Sequence, residues 1–146
     1  MAGEQGKMMR SMKNKPLKIA LVHDYLREYG GAERVLEALH ELYPEAPVYT
    51  AFVDSQALGM HWERFKHWDI HESIASQIPF IKKLYSPLRV LSVYFFEGFD
   101  LSAYDVVISS TNMYMAKGVL TKPPTVHICY CHTPPRSLYG YSTMTD

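Results

Sequence analysis

The sequence predicts an α/β fold, a Rossmann-like and mostly parallel sheet with helices on both faces. Three observations predict it. Apolar runs such as Ile19-Ala20-Leu21-Val22 do not alternate with polar residues, as expected of strands buried on both faces. These runs alternate along the chain with helical patterns, the rhythm of crossover-connected parallel strands. Each run also gives way to polar residues at its end, and the first leads into Gly30-Gly31 ahead of a helix.

The elements follow in order. Residues 1–16 are polar and lysine-bearing with no apolar signal core, and read as a disordered leader, with the domain at 17–146. The first strand covers Ile19–Val22 and ends in His23-Asp24. Ala32, Val35, Leu36, Leu39 and Leu42 then share one helical face, with Glu33, Arg34, Glu37, His40 and Glu41 opposite, until Pro44 stops the helix. Pro47–Val53 is rich in β-formers and ends in Asp54. Gly59–Ile78 has no clear period. Ser86-Pro87 reads as an N-cap and first helical residue before a stripe of Leu88, Leu91 and Phe95. Tyr104–Ser109 is the third strand predicted, followed by a short helix or turn through Met115–Gly118, and Thr125–Tyr130 is the fourth.

At 146 residues the chain fits one domain able to bury roughly 68–70% of its extended surface. Fifteen basic and 15 acidic residues balance, so no global field draws the chain to nucleic acid. No apolar stretch approaches the roughly 20 residues of a membrane span. Two cysteines, Cys129 and Cys131, are too few for a disulfide framework and indicate a reducing, cytoplasmic setting.

In open α/β sheets ligands bind beyond the carboxyl ends of the strands. The residues there are His23 and Asp24, Asp54, then Ser110, Thr111 and Asn112, then His132 and Arg136. Polar strand ends are ordinary in loops, so the distinctive members are Gly30-Gly31, His132 and the stiff Pro134-Pro135 that would hold the histidine in place. Glycines at a helix mouth let a phosphate or sugar-phosphate approach unpaired N–H groups and the helix dipole. Neither a dinucleotide fingerprint nor a Walker loop is present.

His127, Cys129, Cys131 and His132 are zinc-type ligands, but on a strand 127, 129 and 131 face one way and 132 the other. No metal is therefore expected, and the two cysteines are expected buried and unbridged on their strand. No D-x-D occurs to hold a divalent ion against a nucleotide diphosphate. Phe80-Ile81-Lys82-Lys83-Leu84-Tyr85 is expected to lay its apolar side on the core, with a weak peripheral membrane contact near Lys82 and Lys83 as the alternative.

Three blocks, HDYLREYGGAERV, FEGFDLSAYDVVISSTNMYMAKGV and HICYCHTPPRSLY, together resemble the N-terminal domain of family 4 glycosyltransferases. The resemblance spans about Leu17 to Tyr141. It implies one half of a GT-B architecture, the acceptor-side half of a retaining enzyme that moves a sugar from a nucleotide-sugar to a polysaccharide or glycolipid of the cell envelope. By position, Gly30 and Gly31 would contact the donor diphosphate and His132 would lie beside the transferred sugar. His23, Asp24, Ser110, Thr111, Asn112, Thr133 and Arg136 would contact acceptor or sugar, and Glu33 would serve the helix dipole. No cofactor or metal is implied, only the nucleotide-sugar as substrate.

The chain stops at Asp146, before the nucleotide-sugar-binding domain that the resemblance calls for. The fragment by itself is accordingly expected to transfer no sugar. The alternative is a non-catalytic sugar- or anion-binding module, or a half-enzyme needing a separate C-terminal domain. A nucleotide-binding regulatory domain is disfavoured, since no ribose-binding carboxylate has the required spacing.

Overall fold

The first strand lies at the centre of the sheet because its residues are apolar toward both faces. In the computed structural model, which describes residues 15–112 and 116–132, β1 (Ile19–His23) pairs in parallel with β2 (Val48–Thr50) and β4 (Val106–Thr111). β3 (Ile70–Glu72) adds to β2 and β5 (Val126–Cys131) to β4, giving the order β3-β2-β1-β4-β5, all parallel. Leu21 packs on one face with Val48, Leu36, Phe65 and Ile108. Ala20 and Val22 pack on the other with Phe52, Phe96 and Val107. Two cores, one per face, leave no solvent side for β1.

Helix α1 (Gly31–Leu42) covers the Leu21 face, and its fully buried Leu36 carries the contact. Its predicted stripe is graded in depth, since Leu42 is 70% exposed at the helix end. Glu33, expected on the polar face, is instead buried. Its carboxylate folds back to the N–H of Gly30 and meets His23, so a local pairing overrides the helical period. After β2, α2 (Ser55–Leu58) starts on an Asp54 cap, whose carboxylate accepts from the Ala57 N–H. The opposite face is covered by α3 (Ile81–Leu84), a 3-10 turn at Pro87–Leu91, α4 (Ser92–Glu97) and a 3-10 turn at Ala116–Gly118. Pro87 opens its helical segment as the sequence predicts, and Phe95 is buried while Leu91 stays 42% exposed. The Phe80–Tyr85 segment splits: Ile81 enters the core and Tyr85 packs on Tyr25, but Phe80 and Leu84 face solvent.

Two departures from the sequence reading concern the sheet edges. β3 lies within the stretch that shows no period; it is three residues long and largely exposed, so no apolar run marks it. Among the described residues β5 is the other edge strand, flanked by β4 alone. Val126, Ile128 and Tyr130 are therefore half-exposed, and Cys129 and Cys131, expected buried, are exposed. A strand of apolar composition is buried only if something covers its faces, and a single strand's residues do not report that.

Candidate functional site

The chain order reverses between β1 and β4, with β2 and β3 laid down on one side of β1 and β4 and β5 on the other. At such a switch point the two outgoing loops diverge and leave a crevice at the carboxyl rim. His23 and Asp24 leave β1 there, and Ser110, Thr111 and Asn112 end β4. A small pocket of about 80 Å³ sits in this crevice, walled by His23, Asp24, Tyr25, Glu28, the Gly30–Glu33 turn and Asn112. A larger cavity of about 520 Å³ opens at the opposite rim, between the start of β1 and the end of α1. The candidate site is the smaller one, because ligands of open parallel sheets meet the carboxyl rim, where the loops and the α1 mouth lie.

Asp24 is the organising residue of the rim. It is buried, and its carboxylate accepts from the Thr111 hydroxyl at 2.9 Å and from the N–H groups of Asn112 and Ala116, each at 2.8 Å. The sequence reading assigns Asp24 and Thr111 to ligand contact; the geometry shows them engaged with each other, tying the β1 and β4 loops together.

His23 lies between Glu33 and Ser110. Its Nε2 is 3.4 Å from Glu33 Oε1 and its Nδ1 is 3.3 Å from Ser110 Oγ. Ser110 Oγ in turn is 2.8 Å from Nε2 of His132, the residue that follows β5. His132 is thus brought to the same rim as the glycine turn, with His23 common to both. Burial works to raise the Glu33 pKa, yet the His23 hydrogen bond and charge and the Gly30 N–H outweigh it and hold it below the ordinary value. Burial pushes the His132 pKa down and a charge on His23 adds to this, against the opposing pull of Asp24 and Glu33. Burial, with Glu28 nearby, raises the Tyr25 phenol to about 12.

The glycine pair occupies the N-cap and first turn of α1. The Gly30 N–H is already taken by Glu33 Oε2 at 2.8 Å, and a Cβ at Gly30 would stand 3.3 Å from that oxygen. In front of Gly31 a Cβ would meet nothing within 4 Å. Gly30 has an extended backbone, and Gly31 begins a right-handed helix. Neither glycine is demanded by conformation, so the open approach to Gly31 is what the residue type provides. Among the described residues the pocket walls carry three carboxylates, Asp24, Glu28 and Glu33, and no lysine or arginine. An anion here would gain N–H groups from the first turn of α1 while its balancing cations came from elsewhere; a neutral polyhydroxylated ligand suits the acceptor-rich wall directly.

Thr133 and Arg136, with Pro134-Pro135, lie outside the described residues. Asp54 is not brought to the crevice; it caps α2 and pairs with Lys82 at 3.5 Å. Among the described residues no group of three or more His, Cys, Asp or Glu side chains is placed to hold a metal ion. His127, one of the zinc-type residues, bonds Ser109 Oγ at 2.8 Å. The residues that sequence reasoning missed are Glu28 and Tyr25 in the wall and Glu33 as the partner of His23. For Glu33 a signal existed: a glutamate three positions after a helix N-cap reaches back to the cap N–H, which turns it inward.

Glu33 gives the site a measurable acid response. Its folded pKa lies below its ordinary value of 4.5, so between the two the unfolded chain binds more protons. The stability this carboxylate supplies is complete above that ordinary value and is lost as the pH falls through the folded value. Glu33→Gln is expected to flatten the fall of Tm in that acid window; an unchanged acid limb by circular dichroism would refute the coupling.

No family model, curated protein or solved structure matches this chain.

Proposed function

We propose that this domain is the acceptor-side half of a retaining, nucleotide-sugar-dependent glycosyltransferase of the GT-B type, acting on a glycan or lipid-linked acceptor. One observation supports the reading: Gly31 lines the small pocket at the switch point of a parallel sheet, and His132, a hundred positions on, lies at the same rim 2.8 Å from Ser110, which neighbours His23 of that pocket. Of the motif blocks that resemble family 4 enzymes, the described residues His23, Asp24, Ser110, Thr111 and His132 are joined at that rim by polar contacts. Retaining transfer builds positive charge at the anomeric carbon and negative charge on the departing diphosphate. The free N–H groups at the first turn of α1 suit the second charge. Since Glu33 occupies the Gly30 N–H, the contact falls to Gly31 and its successor Ala32.

The reading requires a nucleotide-binding half, in the same polypeptide or as a separate one. The test is transfer from a panel of nucleotide-sugars by this domain with and without that half. Activity only in the pair is expected; robust turnover by these 146 residues alone would overturn it. Gly31→Val tests the close approach. With open space before Gly31, the variant is expected to change stability by less than about 1 kcal/mol, while transfer by the pair falls at least tenfold. Unchanged transfer would remove the glycine turn from the mechanism.

The acidic wall favours a second reading on its own evidence, a non-catalytic pocket for a neutral sugar. Saturable binding of a free monosaccharide without transfer in the pair would support it instead. We also propose a weak peripheral membrane contact near Lys82 and Lys83. Phe80, Leu84 and Val90 are 72, 45 and 84% exposed near Lys83, while Lys82 is engaged by Asp54. Cosedimentation with anionic phosphatidylglycerol vesicles is expected, lost in Phe80→Glu; equal pelleting of both proteins would dismiss it.

A further inference from the structure

Glu33, His23, Ser110 and His132 form an unbroken line of four side chains from the mouth of α1 to the rim beyond β5, at 3.4, 3.3 and 2.8 Å. The first three are almost completely buried, so bulk water does not compete for their hydrogen bonds. The line has a direction, because an ionised carboxylate only accepts. His23 Nε2 must therefore carry a proton toward Glu33, whatever the charge on the imidazole.

Two arrangements follow. With His23 neutral, its Nδ1 is bare and the Ser110 hydroxyl donates to it. Ser110 oxygen then accepts from His132 Nε2, so a neutral His132 keeps its proton on Nε2 and offers a bare Nδ1. With His23 cationic, its Nδ1–H donates to Ser110 instead. The hydroxyl turns to donate to His132 Nε2, and the single proton of a neutral His132 sits on Nδ1. We propose that His23 is a positioning residue: its charge, passed on by rotation of the Ser110 hydroxyl, sets which nitrogen of His132 carries the ring proton. His132 thereby offers a ligand an acceptor in one state and a donor in the other. The proton on His23 comes from solvent and that of His132 exchanges through water, so no further reactant enters.

The inference rests on the reading of His132 as the residue beside the transferred sugar. There, a bare Nδ1 takes a sugar hydroxyl, and an Nδ1–H serves an oxygen that is gaining negative charge. The groups facing the pair are Glu33 on α1, Asp24 after β1, Ser110 on β4 and Tyr130 on β5, whose ring centroid is 4.9 Å from that of His132. Burial and the charge on His23 both hold His132 neutral while His23 is cationic, which is the state in which the tautomer switches.

The experiment is two-bond proton–nitrogen NMR on the ligand-free chain labelled with ¹⁵N-histidine, from about pH 8.5 to about pH 5, with His132→Gln to assign the signals. The bare nitrogen of His132 is expected to be Nδ1 where the spectrum shows His23 neutral and Nε2 where it shows His23 cationic. In Ser110→Ala the His132 tautomer should no longer depend on the His23 charge, and Ser110→Thr, which keeps the hydroxyl, should restore the dependence. A single His132 tautomer throughout, or a switch surviving Ser110→Ala, each overturns the proposal. Because no sugar is present, a failed transfer assay and a failed tautomer switch are separate results.

Discussion

On the proposed function, His132→Ala is expected to lower kcat of the domain paired with a nucleotide-binding half by about a hundredfold or more, the usual contribution of one positioned polar group at a reacting centre. His132 is held at the rim by its position after β5, by its N–H on the Thr111 carbonyl at 3.0 Å and by its 2.8 Å contact with Ser110. It is half-buried and not part of either core, so its removal should leave Tm nearly unchanged. The effect should fall on kcat more than on KM, because on that proposal the group meets charge that develops during transfer rather than gripping the resting substrate. Initial-rate kinetics with a saturating nucleotide-sugar decide it. A variant within threefold of the parent would place the reacting centre elsewhere.

Asp24→Ala is expected to be the most damaging rim substitution for stability, costing about 3–5 kcal/mol by analogy with other buried charged partners. The carboxylate accepts from Thr111, Asn112 and Ala116, all contributed by β4 and the segment after it. Its loss strands buried donors and unties the two loops that frame the crevice. At about 2–4 °C per kcal/mol for a chain of this size, Tm should fall by roughly 10–15 °C. Asp24→Asn, which keeps the shape and one acceptor, should lose about half as much. Calorimetry of both variants is the check; if Asp24→Ala melts within 3 °C of the parent, Asp24 does not tie the rim together.

How much of this was legible in the chain depends on the range of the interaction involved. The unbroken apolar run of β1 marks a central strand, because burial on both faces is written into consecutive residues. The carboxyl-rim residues of β1 and β4 are legible for the same reason, since each lies just past a recognisable strand. β3 escaped because a three-residue exposed edge needs no apolar pattern. The thiols of Cys129 and Cys131 were misjudged because a strand's composition does not say which neighbour covers it. Glu33 was placed on the solvent face by the helical period, although its spacing from Gly30 already held the contrary signal.

Local pattern alone determines the parallel α/β class, the helix that opens at Gly30-Gly31 and the polar character of the rim. These depend on preferences acting within a few residues of one another. Only the tertiary structure decides that Asp24 ties the β1 and β4 loops together, and that His23 and Ser110, 87 positions apart, join Glu33 to His132. Which hydroxyl meets which imidazole is set by the register of β1 on β4 and β4 on β5. A shift of one residue in that register turns each side chain to the opposite face, and nothing in the amino-acid order of one strand states its register against the next.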